Sequence, residues 1–175
     1  TPEVYGSNSK KVNEEHNLNP STPYAVSHAA IDMSLISYYK NYGFPVVLGR
    51  FANFYGPGQQ TYRIIPKTIL YAKAGKKLPL HGGGLSLRAF IHNTDVSNAI
   101  ENLITRGNIG EIYNFSPTEF VSIKELVMKI LSVMEVPFEN SVIETNDRPS
   151  KDFSYFMDTK KAKSCLQWKP LVSLE

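Results

Sequence analysis

From Pro23 onward the hydrophobic spacing of the chain switches repeatedly between helical and extended periods. Ile31, Leu35, Tyr38 and Tyr42 recur three or four residues apart, which predicts an α-helix with one buried stripe. Ser21, Thr22 and Pro23 mark its start, a capping hydroxyl followed by a proline where a missing N–H costs nothing, and Gly43 is the expected left-handed stop. "FPVVLGRF" follows, apolar on both faces and flanked by breakers, the pattern of a buried strand in a parallel sheet. "GPGQQTYR" is then a loop, "IIPKTILYAKAG" a helix ending at Gly75, and "KKLPL" a strand that Pro79 confines to an edge. "HGGG" reads as a tight turn into the strand "LRAFIH", and Thr94 and Asp95 as caps for the helix "DVSNAIENLIT". "GEIYNFS" predicts another strand. Ser122 and Glu125 form a capping box for a helix with Leu126, Ile130, Leu131 and Met134 toward the core. A strand at "NSVIET", the loop "NDRPSKDFSYF" and a helix from Asp158 complete the series.

Strands alternating with helices imply an α/β fold. The opening "TPEVYG" reads as the tail of a strand with its exit turn, and Ser173 as a cap whose helix would follow. A doubly wound parallel sheet is built from βαβ units of roughly 30 residues each. The expectation is therefore that these residues are the C-terminal part of such a fold, with preceding units outside them. No internal repeat or low-complexity tract interrupts the pattern.

Composition narrows the function classes. A chain of 175 residues with 42% hydrophobic content is able to bury a core. The net charge of +3 is too small and too scattered to argue for nucleic acid, and Lys160, Lys161 and Lys163 read as a solvated face. Cys165 is the single cysteine, so no internal disulfide is available and a cytoplasmic setting is expected. No apolar run is long enough to span a bilayer as a helix. His16, His81 and His92 show no metal-site spacing.

The first chemical constellation is Thr1, Glu3, Tyr24 and His28. Tyr24 and His28 are four apart on the predicted helix and project from one face. A phenol has a reference pKa of about 10, so it acts as a base at neutral pH only beside a positive charge, and position 28 is where that charge would sit. Equally, a Tyr and a His at this spacing could simply pack.

"TPEVYG" followed by "PYAVSH" resembles the active-site pair of the extended short-chain dehydrogenase/reductases that act on nucleotide sugars. "RFANFYGPGQQTYRIIP" is similar to that family's R-x-x-N-x-Y-G-P segment. The likeness continues in order through "GKKLPLHGGGLSLRAFIHNTDVSNAI", "GEIYNFS" and "DRPSKDFSYFMDTKKAKSCLQWKPLVSLE", with the 4,6-dehydratases nearest. The resemblance implies a Rossmann-type fold whose dinucleotide-binding N-terminal half is absent here. Residues 1–55 would end the sheet and carry the tyrosine helix, and residues 56–175 would form mainly a small substrate-binding lobe. It implies NAD as cofactor, a nucleotide-diphosphate sugar as substrate, and a homodimer formed through the tyrosine helix. Tyr24 would take the sugar hydroxyl proton, assisted by Thr1, with His28 beside the cofactor. Glu3 would remove a proton next to the new ketone, which the carbonyl acidifies. Asn53, Arg63, Arg88, Asn114 and Arg148 would hold the substrate, the arginines suiting phosphate through their bidentate fork.

Three positions depart from the family pattern. His28 stands where the family has lysine, Pro2 where the dehydratases have an aspartate that protonates the departing hydroxyl, and no G-x-x-G-x-x-G loop occurs. An epimerase or decarboxylase of the same family, or a nucleotide-sugar binding module without catalysis, therefore stands beside the 4,6-dehydratase reading.

Overall fold

The computed structural model describes residues 1–147 and 152–174. The first segment is a single 3-10 turn, Pro2–Tyr5, rather than the strand tail expected from sequence; proline near its start fixes the backbone and removes a ladder donor. Helix α1 (Pro23–Tyr42) starts and stops where the sequence places it. The Thr22 hydroxyl accepts from the Ala25 N–H at 3.1 Å, and Gly43 closes the helix at φ 66° and ψ 22°.

The stripe expected to be buried on α1 is instead largely exposed: Ile31, Tyr38 and Tyr42 face outward, Tyr42 at 79%. Ala25 and Ala29 are the buried positions, and Asp32 lies on the same face, one turn on. Small side chains let the helix backbone approach the Pro2–Tyr5 turn closely. Periodicity locates an apolar face, but it does not say whether these residues cover it.

Strand β1 (Leu48–Phe51) runs parallel to β6 (Ile112–Phe115), with Leu48 opposite Ile112 and Phe51 opposite Phe115. Both faces of β1 are not apolar, because Arg50 points inward and is 3% exposed. After Ala52 the chain continues as β2 (Asn53–Tyr55), which pairs in parallel with β5 (Phe90–His92). The Ala52 N–H donates to Phe115 at 2.9 Å and the Asn53 N–H to Ala89 at 3.2 Å, so the strand changes partner at this point. Beyond such a change of partner the sheet edge opens a crevice.

The predicted strand "LRAFIH" divides at Ala89 into β4 (Leu87–Arg88) and β5; β4 pairs antiparallel with β7 (Val121–Ser122). Helix α2 (Ile64–Lys73) packs beside α4 (Ile123–Val133). Next to them β3 (Leu78–His81) and β8 (Val142–Thr145) run parallel, and the short helix α5 (Phe138–Ser141) leads from α4 into β8. Leu78, Leu80, Val127 and Leu131 form the core of this part. The Ser122–Glu125 capping box is present in both directions. Hydrogen bonds from Ser122 hold the Glu125 carboxyl below its usual range. Gly82, Gly83 and Gly84 all take positive φ, 57°, 63° and 69°, a run that favours glycine in the turn after β3.

The main cluster joins Val4, Tyr5, Ala29, Ile91, Val96 and Tyr113 to Phe115 and Trp168. Phe51 stacks on Phe115 at 4.7 Å between centroids, and Trp168 meets Phe115 edge-on at 5.0 Å. Helix α3 (Asn93–Arg106) is capped by His92, whose Nδ1 accepts from the Thr94 N–H at 3.3 Å. Asp95 is not its cap. Its carboxylate is 1% exposed and accepts from the N–H groups of Leu171 at 2.9 Å and Val172 at 3.1 Å, clamping the segment after α6 (Lys160–Leu166). Trp168 adds an indole N–H bond to the Asp95 carbonyl at 3.1 Å. Among the described residues no helix is long and apolar enough to cross a membrane.

Asp95→Ala leaves two backbone donors without their charged acceptor and should destabilise the fold by about 2–3 kcal/mol. Asp95→Asn, which keeps one acceptor oxygen, should lose less. Urea unfolding midpoints of the three proteins at constant m-value check the order.

Candidate active site

The crevice beyond the partner change is a cleft of about 410 Å³. Thr1, Pro2 and Glu3 of the first turn form one wall, and Tyr24 and His28 of α1 form the second. Phe51 to Phe54 supply the floor, and Gln59, Gln60 and Arg63 the far rim. Its size suits a small polar ligand.

Two local arrangements aim the catalytic candidates. The Thr22 cap and Pro23 begin α1 one residue before Tyr24, so the phenol lies in the first turn, 54% exposed toward the cleft. The Tyr24 and His28 rings sit 4.5 Å apart between centroids, tilted by 59°, as i, i+4 neighbours on one helix face should. Glu3 belongs to the 3-10 turn, whose carbonyl accepts from the Gly6 N–H at 3.1 Å while Thr1 Oγ1 accepts from the Glu3 N–H at 3.4 Å. A carboxylate, a phenol and an imidazole thus reach one space from two elements.

A buried polar chain fixes that meeting. Arg50 Nε donates to Asp32 of α1 at 2.8 Å, and Arg50 Nη1 to the Tyr5 hydroxyl at 2.6 Å, with the guanidinium 4.7 Å from the Tyr5 ring centre. The Tyr5 hydroxyl donates to Asn114 Oδ1 at 2.9 Å, and the Asn114 N–H to Glu14 at 2.8 Å. Burial pushes the Tyr5 phenol above its ordinary pKa, partly offset by Arg50. The first turn, α1, β1 and β6 are joined through this one guanidinium.

The structure brings Thr1, Glu3, Tyr24, His28, Asn53 and Arg63 to one cleft. It places two others away from it. Asn114 is fully enclosed, its side chain bonded to Tyr5 in the core network. Arg88 makes three hydrogen bonds to backbone carbonyls, of Leu87 at 2.7 Å, Phe153 at 2.9 Å and Asp152 at 2.8 Å, and its guanidinium lies 4.4 Å over the Tyr155 ring. Arg148 lies outside the described residues. Sequence reading misses the part of Gln59, Gln60 and Phe54 in the cleft. They sit in or beside the glycine-proline loop after β2, where a polar pair is the available signal. Gln59 Nε2 donates back to the Phe54 carbonyl at 2.6 Å, which holds the rim.

Tyr155 carries no signal in the sequence either. Its hydroxyl donates to Asp152 at 2.7 Å. Burial first, then that hydrogen bond and the charge of Glu3, push its phenol far above the ordinary range. A phenol held protonated in the folded state keeps its contribution to stability below about pH 10, where unfolded tyrosine is also protonated, and loses it as pH rises further. Unfolding measured between about pH 9 and pH 11.5 should show stability falling on the alkaline side, with Tyr155→Phe flattening the slope by about 1.4 kcal/mol per pH unit.

The GDP-mannose 4,6 dehydratase family model matches residues 1–175. Human dTDP-D-glucose 4,6-dehydratase is 37% identical over 98% of this chain and 51% of its own length. A dTDP-glucose 4,6-dehydratase from Streptomyces venezuelae, solved with NAD and TYD bound, superposes with a TM-score of 0.95 at 33% identity, over 98% of this chain and 53% of that one. A point mutant of UDP-glucuronic acid 4-epimerase from Bacillus cereus, solved with a fluorinated UDP-sugar and NAD, gives a TM-score of 0.94 at 26% identity, over 99% of this chain and 55% of that one. The chain spans about half the length of the curated dTDP-glucose dehydratases it matches.

Proposed function

Since the chain belongs to the GDP-mannose 4,6-dehydratase family over its whole length, we propose that it carries the substrate side of an NAD-dependent nucleotide-sugar 4,6-dehydratase. One observation carries the reading. Glu3 and Tyr24, a proton acceptor for carbon and one for oxygen, line the same cleft from two different elements.

In this reading Tyr24 takes the proton of the sugar C4 hydroxyl, with the Thr1 hydroxyl beside it and Asn53 on the floor orienting the sugar. NAD, when bound, accepts and returns the hydride. Tyr24 and His28 present the protein surface that would face its nicotinamide, and the imidazole beside the phenol stands where a cation would favour the phenolate. For the pyrophosphate the fit is different. No glycine-rich loop opening onto a helix occurs among the described residues, and α1 begins with a proline after its own hydroxyl cap. Cofactor phosphates are therefore assigned to residues beyond these in the intact protein.

Once C4 is a ketone, Glu3 removes the C5 proton, which the carbonyl has made acidic. Among the described residues Glu3 is the only carboxylate lining the cleft, and Pro2 beside it has no proton to give. Glu3 then returns that proton to the departing C6 hydroxyl, so the proton lost from carbon leaves in water; C6 would take the returned hydride, and C5 a proton from solvent that replaces the one Tyr24 passes out. Arg63 at the rim is the phosphate contact within the cleft, and Arg88 and Asn114 act on the scaffold. The absence of a second acid favours one competing reading, an epimerase of the same family, which needs the oxidation but not the loss of water.

Self-association through α1 and a cytoplasmic setting belong to the same reading. Ile31, Tyr38 and Tyr42 form an exposed apolar face on that helix, and Cys165 is a free thiol.

The experiment is product analysis of the intact protein with NAD and GDP-mannose, dTDP-glucose or UDP-glucose. A 4-keto-6-deoxy sugar is expected from at least one, with Tyr24→Phe slower by about 10²–10⁴-fold. A C4 epimer supports the competing reading, and NAD binding with no turnover of any sugar contradicts both. His28→Lys should raise the oxidation rate if imidazole is the weaker cation.

A further inference from the structure

Both arms of the cleft are tied to a carboxylate that lies outside it. Asp152 is 7% exposed. Its Oδ1 accepts from the Ser7 N–H at 3.1 Å, and its Oδ2 from the Ser21 hydroxyl at 2.7 Å and the Tyr155 hydroxyl at 2.7 Å. Ser7 follows the first turn that carries Glu3, and Ser21 precedes the Thr22 cap that sets Tyr24. Arg88 holds the Asp152 carbonyl from the side of β4.

The chain around Asp152 is equally fixed. The Phe153 N–H donates to Ser7 Oγ at 3.1 Å, the Asn8 N–H to Ser154 at 3.1 Å, and the Phe156 N–H to Asn8 Oδ1 at 2.8 Å. Leu87 donates its N–H to the Phe153 carbonyl at 2.8 Å. Segment 152–156 is thus a brace between β4 and the two pieces of chain that deliver the cleft residues. A buried carboxylate with several donors has few alternative geometries, because each lost bond leaves an ion or a donor uncompensated.

We propose that Asp152 is a positioning residue that sets the separation of Glu3 and Tyr24 through Ser7 and Ser21, without touching the substrate. The assignment rests on the proposed reaction for its kinetic consequence only. Misplacement by about 1 Å costs on the order of 10²-fold in rate, so a brace between the two arms acts on turnover more than on binding.

The intact protein and its Asp152→Ala variant are compared by hydrogen-exchange mass spectrometry and by steady-state kinetics with the nucleotide sugar the wild type turns over. Exchange in residues 3–8 and in residues 21–28 should both accelerate about tenfold, with α4 unchanged. kcat should fall by about 10²-fold, while KM stays within about threefold of the wild type. Asp152→Asn should recover most of kcat, because its amide accepts from Ser7 and donates to the two hydroxyl oxygens. Should Asp152→Ala fail to fold, Ser21→Ala takes its place, with faster exchange expected in residues 21–28 and not in 3–8. Unchanged exchange in both segments, an unchanged kcat, a loss confined to KM, or an Asn variant as slow as the Ala variant would each overturn the proposal. A wild type with no turnover defeats the proposed reaction, and the exchange result then decides on Asp152 alone.

Discussion

A single buried guanidinium ties together the two elements that wall the cleft. Arg50 enters the interior from β1 and bonds Asp32 on α1 and the Tyr5 hydroxyl on the first turn. Those two elements carry Tyr24 and Glu3. A cation that is 3% exposed must be compensated inside the protein, and the groups that compensate it are the ones that fix the helix against the turn. Removing one partner of such a buried pair costs about 3–5 kcal/mol. The constraint therefore reaches the chemistry without any contact to a substrate. Asn114 and Glu14 extend it to β6 and the loop after the first turn, which explains why a polar residue sits fully enclosed in the middle of a strand.

Asp152 repeats this kind of link from the segment after β8. Arg50 joins the arms from within the sheet, and Asp152 joins the segments just after Glu3 and just before Tyr24 from the outer loop. Opposite charges, each buried and each bonded to both arms, hold the segments that carry Glu3 and Tyr24. The change of strand partner at Ala52 then leaves the crevice between them open.

Much of this is legible in the sequence, and the exceptions have physical causes. Local signals read correctly where the determinant is local: the Thr22–Pro23 start of α1, the Gly43 stop, the Ser122–Glu125 capping box and the glycine turn at "HGGG". Thr1, Glu3, Tyr24, His28, Asn53 and Arg63 do meet in one cleft. The failures need knowledge of distant partners. Ile31, Tyr38 and Tyr42 have the right period for a core face, but nothing among the described residues covers them. Arg50 is out of place in an apolar strand until the fold brings Asp32 and Tyr5 to it. Asp95 has the sequence position of a helix cap, yet its oxygens serve the N–H groups of Leu171 and Val172, far along the chain. The bonds of Arg88 to the Asp152 carbonyl and of Asn114 to the Tyr5 hydroxyl likewise join residues far apart in the chain, which the sequence does not announce.

In the proposed reaction Tyr24 and Glu3 act in sequence on one sugar, the phenol during oxidation and the carboxylate afterwards. Single-turnover absorbance of reduced nicotinamide in the intact protein separates the two steps most directly. Glu3→Gln is expected still to reduce the cofactor on mixing with nucleotide sugar and then to stall with it reduced, whereas Tyr24→Phe should show almost no reduction. A Glu3→Gln protein that reoxidises its cofactor and releases water at the unaltered rate, or a Tyr24→Phe protein with a full reduction phase, would contradict it.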